Sequence, residues 1–275
     1  MVDLHIHSIY SDGTYDVNEI LEHARKNGVK ILSIADHNVI EAYQHLNDID
    51  DLIIIKGVEI DAHGYDLNVH ILGYQCDYKN KEFVDFVNHI NKMLEEFDDG
   101  LLWKLNKDYP MITKEDYDSY VNDPKLGGWK SLNYLIHKNI IHDLKDYFNL
   151  YSKYDHSNHE VNYPSIKEVV NQIHKANGYS VLAHPGKVIK YKTLDEFESM
   201  LRKMIIENKI DGIECYYPSH TKEITERCLR VCEDYDLIIT CGCDCHGTFQ
   251  KTNIGEMKKT LKDLKIDKLL KKESD

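Results

Sequence analysis

The chain has 275 residues, 42% hydrophobic and 29% charged, a composition ordinary for a soluble globular protein of one barrel-sized domain or one domain carrying a substantial insertion. A formal net charge of −13 argues against broad binding to long nucleic acid, and no apolar run approaches the length of a membrane span. No basic-then-apolar secretory signal is visible at the N-terminus, and seven cysteines without the spacing of a small secreted scaffold fit a reducing cytoplasm.

In chain order, residues 2–7 read as a short strand, and residues 17–27 as a helix with Val17, Ile20, Leu21 and Ala24 on one face and Gly28 as its stop. Residues 30–35 and 52–60 read as second and third strands, and 67–74 as a fourth. After a long gap come a helix at 165–177, a strand at 179–183 and a helix at 194–207. A strand at 212–216, a helix at 222–235 and a strand at 237–241 complete the alternation. Strands alternating with helices through short connections predict parallel strands inside and helices outside. The Lys-rich tail at 258–272 reads as an exposed helix face.

The middle has a different pattern. Phe83, Phe86, Val87, Ile90, Met93, Leu94 and Phe97 recur at helical spacing, a further helical patch covers 130–136, and Asp123-Pro124 and Gly127-Gly128 break the segment. The organisation expected is a barrel built from 1–80 and 165–275, interrupted by a helical insertion at 81–164 that covers the site.

His5-Ile6-His7 places two imidazoles on one side of a strand, roughly 6.6 Å apart along the backbone, close enough to converge on one metal ion. Alone, such a pair is equally compatible with two incidental histidines. The rest of the chain decides the matter. Asp12 follows where the first strand should turn, and Asp36-His37 comes directly after the second strand. Glu59, His70, His184, Glu214, Asp244 and His246 fall on or after later strands. In a parallel barrel the C-terminal strand ends share one face, where catalytic residues collect.

These segments together resemble the PHP (polymerase and histidinol phosphatase) family: Asp3-Leu4-His5-Ile6-His7-Ser8 with Ser11-Asp12-Gly13, Ala35-Asp36-His37-Asn38, Gly57-Val58-Glu59-Ile60, His70-Ile71-Leu72-Gly73-Tyr74, Ala183-His184-Pro185-Gly186 and Gly242-Cys243-Asp244-Cys245-His246-Gly247. The resemblance implies a distorted (β/α)7 barrel and two to three divalent metal ions, Mn, Fe or Zn. It implies that His5, His7, Glu59 and Asp244 hold the first ion. Glu59 would bridge to a second, completed by His70 and His184, and Asp12, His37 and His246 would hold a third. Ala35 and Cys243 stand where the family usually has Thr and Ser; neither is a ligand. Gly127-Gly128-Trp129-Lys130 replaces an Arg-bearing segment and puts the substrate contacts in question.

Three divalent ions would outweigh the carboxylates of Asp12, Glu59 and Asp244, making a cationic pocket within an acidic protein. The reaction expected is phosphoester hydrolysis of a small phosphorylated substrate, such as a nucleotide or short oligonucleotide, by metal-activated water. Hydrolysis of histidinol phosphate or phosphotyrosine, a non-catalytic PHP module and a C–N amidohydrolase are the alternatives. His220 is read as touching substrate phosphate or protonating the leaving group, against the alternative of a surface histidine. Lys130 and Trp129 are read as substrate contacts, a cation for phosphate and a ring for a base, against packing inside the insertion. Cys241, Cys243 and Cys245 alternate with Asp244 and His246 and are expected to face away from the metals; Cys228 and Cys232 read as core.

Overall fold

The computed structural model describes residues 1–46, 49–157 and 161–271. Strands β1 (Val2–Ile6), β2 (Ile31–Ile34) and β3 (Ile53–Ile54) form a parallel three-stranded sheet. A second sheet runs β4 (Gly57–Gly64), β5 (Leu67–Tyr74), β6 (Tyr179–Leu182), β7 (Gly212–Tyr216) and β8 (Ile238–Cys241) in that order. The class is mixed α/β. Among the described residues the strands do not close into a continuous barrel: the sheets meet through single parallel bridges, Ile6 with Cys245 and His37 with Glu59.

Two expectations are corrected here. Residues 52–60 are not one strand, because pairing with β2 ends at Ile54 and pairing with β5 begins at Gly57. The Tyr43 hydroxyl serves this corner: it accepts the Gly57 N–H at 2.7 Å and donates to the Ile34 carbonyl at 2.6 Å, satisfying backbone groups that no ladder reaches. The strands are also not all parallel. β4 and β5 form a two-residue hairpin through Tyr65 and Asp66, both left-handed with φ of 57° and 58°, and β5 pairs antiparallel with β6 as well.

The helices follow from capping and apolar spacing. α1 (Val17–Lys26) starts at a capping box between Asp16 and Glu19 and buries Val17, Ile20, Leu21 and Ala24. α6 (Ile166–Lys175), α8 (Leu194–Asn208) and α9 (Lys222–Tyr235) are capped by Ser165, Thr193 and Thr221 and pack over the second sheet. α7 (Pro185–Val188) is a single turn after β6, and the described part of the tail holds only α10 (Asp267–Leu270). The tail is therefore not one exposed helix: Ile266 and Leu269 are buried against β1 and β8, which pins it down.

The middle segment is helical. α2 (Lys81–Leu105) is a beam shared by two cores: Phe83, Val87 and Ile90 pack with the sheet, while Leu101, Leu102 and Leu105 pack with α3 (Lys114–Ser119), α4 (Lys130–His137) and α5 (Leu144–Lys153). No described helix is long and apolar enough to cross a membrane.

This helical unit meets the site loop at Gly127-Gly128. Gly127 and Gly128 have φ of 71° and 64°, and the Gly128 N–H donates to the Asp12 carbonyl at 2.8 Å. A Cβ on Gly127 would lie 2.7 Å from Phe249 Cβ and 2.9 Å from Thr14 Cγ2. A left-handed backbone and a close approach both require glycine there. Gly127→Ala should lower stability by about 2–4 kcal/mol, combining the left-handed penalty with overpacking. Urea denaturation measures this, and an unchanged midpoint would show that the junction yields without cost.

Candidate metal centre

The strand ends bring nine predicted residues into one buried cluster, and Glu59 lies at its middle. On β4 and β5 the register sets Asp61 opposite His70, and Glu59, two residues before Asp61, shares that face. Glu59 is fully buried. Its Oε1 lies 2.9 Å from His70 Nδ1 and 2.9 Å from His184 Nε2. Its Oε2 lies 3.1 Å from His5 Nε2, 3.3 Å from His7 Nε2 and 3.2 Å from His37 Nδ1. One carboxylate thus presents a different oxygen to each of two groups of imidazoles.

The remaining residues extend this arrangement. Asp244 Oδ1 is 3.1 Å from His7 Nε2 and 3.6 Å from His5 Nε2. Asp12 Oδ2 is 3.2 Å from His246 Nε2, whose other ring nitrogen, Nδ1, sits 2.9 Å from the Asp244 carbonyl. Donor atoms of His5, His7, Glu59 and Asp244 all lie within 4.8 Å of one another, as do those of His7, Asp12, His37 and His246, and those of His37, Glu59 and His70. The first set is the predicted one. The others differ from prediction in that His37 and His7 each belong to two sets, whereas His184 joins through Glu59 alone.

Several features fit a cation rather than a hydrogen-bonded core. His5 Nε2 and His7 Nε2 face each other at 3.1 Å, and Glu59 Oε2 is a buried oxygen with no geometrically sound hydrogen-bond donor. Buried polar atoms are normally satisfied, so a convergence of unsatisfied ones marks a place for an ion. The electrostatics agree. Burial opposes charge on His7, yet Asp244, Glu59 and Asp12 outweigh it and raise its pKa to about 10. Burial and Coulombic attraction likewise compete at His5 and His70, and the carboxylates win, raising both. His37 goes the other way, down to about 4, chiefly through burial. The cluster stabilises positive charge.

Further carboxylates hold the imidazoles in place. Glu214 is fully buried; its Oε1 lies 3.0 Å from His5 Nδ1, and its Oε2 accepts the His184 N–H at 2.9 Å. A Cβ on Gly242 would collide with both His5 and Glu214. Asp61 Oδ1 is 3.3 Å from His70 Nε2. Asp36 accepts from the Ser8 N–H at 2.7 Å and from the Ser8 and Ser11 hydroxyls at 2.6 Å each, which folds the loop that presents Asp12. Carboxylates behind metal-binding histidines fix the tautomer and ring orientation. Of these residues, Glu214 and Asp36 stand out in the sequence as acids at strand ends. The available signal for Asp61 was its i+2 spacing from Glu59.

The other predicted residues lie elsewhere. His220 has both ring nitrogens engaged by backbone: Nε2 accepts the Gly186 N–H at 3.0 Å, and Nδ1 lies 3.0 Å from the Cys215 carbonyl. Burial lowers its pKa, so it is a neutral staple in this arrangement, and neither nitrogen is left for substrate. Lys130 Nζ lies 4.4 Å from the centre of the Tyr117 ring, and Trp129 packs edge-to-face on Tyr147 at 5.2 Å, both within the helical unit. The thiols face away from the cluster: Cys241 Sγ contacts the Val2 carbonyl at 3.2 Å, Cys243 Sγ that of His5 at 3.7 Å and Cys245 Sγ that of Thr252 at 3.3 Å.

Comparison with known proteins places this geometry. The PHP domain pattern matches residues 3–239. The chain is 25% identical over 262 residues to a phosphoribosyl 1,2-cyclic phosphate 1,2-diphosphodiesterase of Eggerthella lenta, covering 90% of this chain and 94% of that one. It is 25% identical over 252 residues to a 5'-3' exoribonuclease of Haemophilus influenzae, covering 89% of each. Its fold is similar to the crystal structure of a protein from Bifidobacterium adolescentis described as a metal-dependent phosphoesterase, with a TM-score of 0.71 at 24% identity over 93% of this chain and 91% of that one.

Glu214→Gln should weaken Mn affinity about 10–100-fold with the fold intact, because the single oxygen of the amide can accept from the His184 N–H or from His5 Nδ1 but not from both, which loosens one of the two residues. Cys243→Ser should retain full affinity. Metal titration of both proteins, with circular dichroism as the fold check, measures this. Loss of metal in the serine variant alone would reverse the assignment.

Proposed function

The chain belongs to the PHP family and is a metal-dependent phosphoric ester hydrolase; we propose that it acts on a small phosphorylated substrate, such as a nucleotide or short oligonucleotide, at the Glu59 cluster. The observation that carries this reading is the split presentation of Glu59, with one oxygen toward His70 and His184 and the other toward His5, His7 and His37. A carboxylate with two such faces is suited to bridging two cations. His5, His7 and Asp244 would complete one metal site, His70 and His184 a second, and Asp12, His37 and His246 a third. Imidazole and carboxylate donors, with the neighbouring thiols turned away, suit Mn, Fe or Zn.

Metal ions bound there would supply an activated water nucleophile and neutralise developing charge on the phosphoryl oxygens. The chain's own residues would do the rest: Glu59 and Asp244 would offset the charge of the ions, while Glu214 and Asp61 orient the imidazoles. The two bridged seams between the sheets support reading the fold as an interrupted PHP barrel, with 81–164 as an insertion that covers the site through Gly127-Gly128.

The phosphoribosyl and ribonuclease relatives favour a ribose-linked phosphoester over histidinol phosphate or phosphotyrosine. The net charge of −13 favours a small ligand over a long strand. A panel assayed with Mn-loaded protein, read by phosphate release and product chromatography, tests this choice. It should include a ribosyl cyclic phosphate, nucleotides, short oligoribonucleotides, histidinol phosphate and phosphotyrosine. The ribose-linked members should be turned over at least about tenfold faster, and the reverse order would overturn the substrate class. Glu59→Gln should reduce turnover at least about 100-fold, because a neutral amide cannot offset two adjacent cations. Near-normal hydrolysis by that folded variant would remove the bridging role.

A further inference from the structure

Among the described residues, one lysine or arginine side chain is ion-paired with a member of the cluster. It is Lys187, whose Nζ lies 3.4 Å from Asp244 Oδ2. The two oxygens of Asp244 face different surroundings. Oδ1 points inward to His5 and His7, while Oδ2 points outward, accepting the Tyr217 hydroxyl at 2.8 Å and meeting Lys187. Lys187 Nζ also sits 5.7 Å from the centre of the Tyr217 ring. The lysine therefore stands at the mouth of the cluster on its solvent side: its side chain is 49% exposed, against 5% for Asp244.

The backbone beneath Lys187 is firmly held. His184 adopts a left-handed φ of 30° and begins the turn of α7. The Lys187 N–H donates to the His184 carbonyl at 2.9 Å, and the Gly186 N–H donates to His220 Nε2 at 3.0 Å. No side chain fits at Gly186, because a Cβ there would lie 2.7 Å from His220 Cδ2. A fixed backbone thus carries a side chain whose only ion pair among the described residues is long and half-exposed. Such a pair is worth little and is easily exchanged for a better anion. A phosphoryl group has three strong acceptor oxygens and is a favourable partner for an ammonium.

We infer that Lys187 is a substrate contact: its ammonium leaves Asp244 Oδ2 when the anion arrives and takes a non-bridging oxygen of the phosphoryl group. His220 then has a positioning role, holding the turn from which Lys187 projects. The inference rests on the cluster being a metal centre that binds phosphoesters. It assigns to Lys187 the cationic contact that the sequence pattern suggested for Lys130, whose ammonium lies over Tyr117.

The test is calorimetric titration of inorganic phosphate into Mn-reconstituted wild type, Lys187→Met and Lys187→Arg, with metal content measured on the same samples. Lys187→Met should bind phosphate at least about tenfold more weakly at unchanged metal stoichiometry, the loss expected for one charge-assisted hydrogen bond. Lys187→Arg should remain within about threefold of wild type, since it keeps the charge. Equal phosphate affinity in the fully metallated Met variant would overturn the contact. Loss of metal in that variant would overturn it too, because Lys187 would then act through Asp244. Wild type that holds its metal yet fails to bind phosphate would refute the phosphoesterase reading of the cluster itself, a result distinct from either of these.

Discussion

A buried carboxylate surrounded by imidazoles is the constraint on which the rest of this structure depends. Glu59 is sealed from water and lies within 3.3 Å of ring nitrogens from His5, His7, His37, His70 and His184. An unpaired buried charge is costly, so the surroundings must supply positive charge and hold it in place. The backbone is shaped to that demand. Asn38, His184 and Asp244 take left-handed φ values of 51°, 30° and 52°, a conformation that Asn and Asp tolerate and that is disfavoured for His. Each is anchored nearby: the Asn38 N–H donates to the Glu59 carbonyl, the His184 N–H to Glu214 and the Asp244 N–H to the His5 carbonyl.

The site divides its labour by distance from the centre. Imidazoles and three carboxylates face inward, buried Glu214 and half-buried Asp61 orient His5 and His70, and Lys187 and Tyr217 meet the outer oxygen of Asp244. The helical unit is tied on through Gly128 and through Lys125, which pairs with Asp16 at 3.0 Å at the start of α1. A net charge of −13 is compatible with binding a phosphorylated ligand, because metal ions held in the cluster would set the local sign.

Much of this was legible in the sequence where a local rule governs the residue. His5, on β1, and His7, just past its end, point to the same side as the two-residue period predicts, and α1 is marked by its apolar spacing and by Gly28. The metal-ligating residue types at strand ends identified the cluster before any coordinates. Less legible were features set by tertiary contacts. Ile55 and Lys56 carry no break signal, and the chain turns there because Tyr43, distant in the fold until it closes, caps the corner. The Tyr65-Asp66 turn lacks the Asn-Gly or Asp-Gly signature of its type, so the hairpin and its antiparallel pairing were hidden. Lys130 and His220 had the right chemistry for substrate, but a Tyr117 ring and two backbone groups engage them, partners that no spacing in the sequence reveals.

The central claim is that this cluster holds metal ions. Elemental analysis of the purified protein after reconstitution with Mn and removal of free metal tests it most directly. The account predicts two to three Mn per chain, falling sharply in Glu59→Gln. A folded wild-type protein that retains no metal after reconstitution would contradict it.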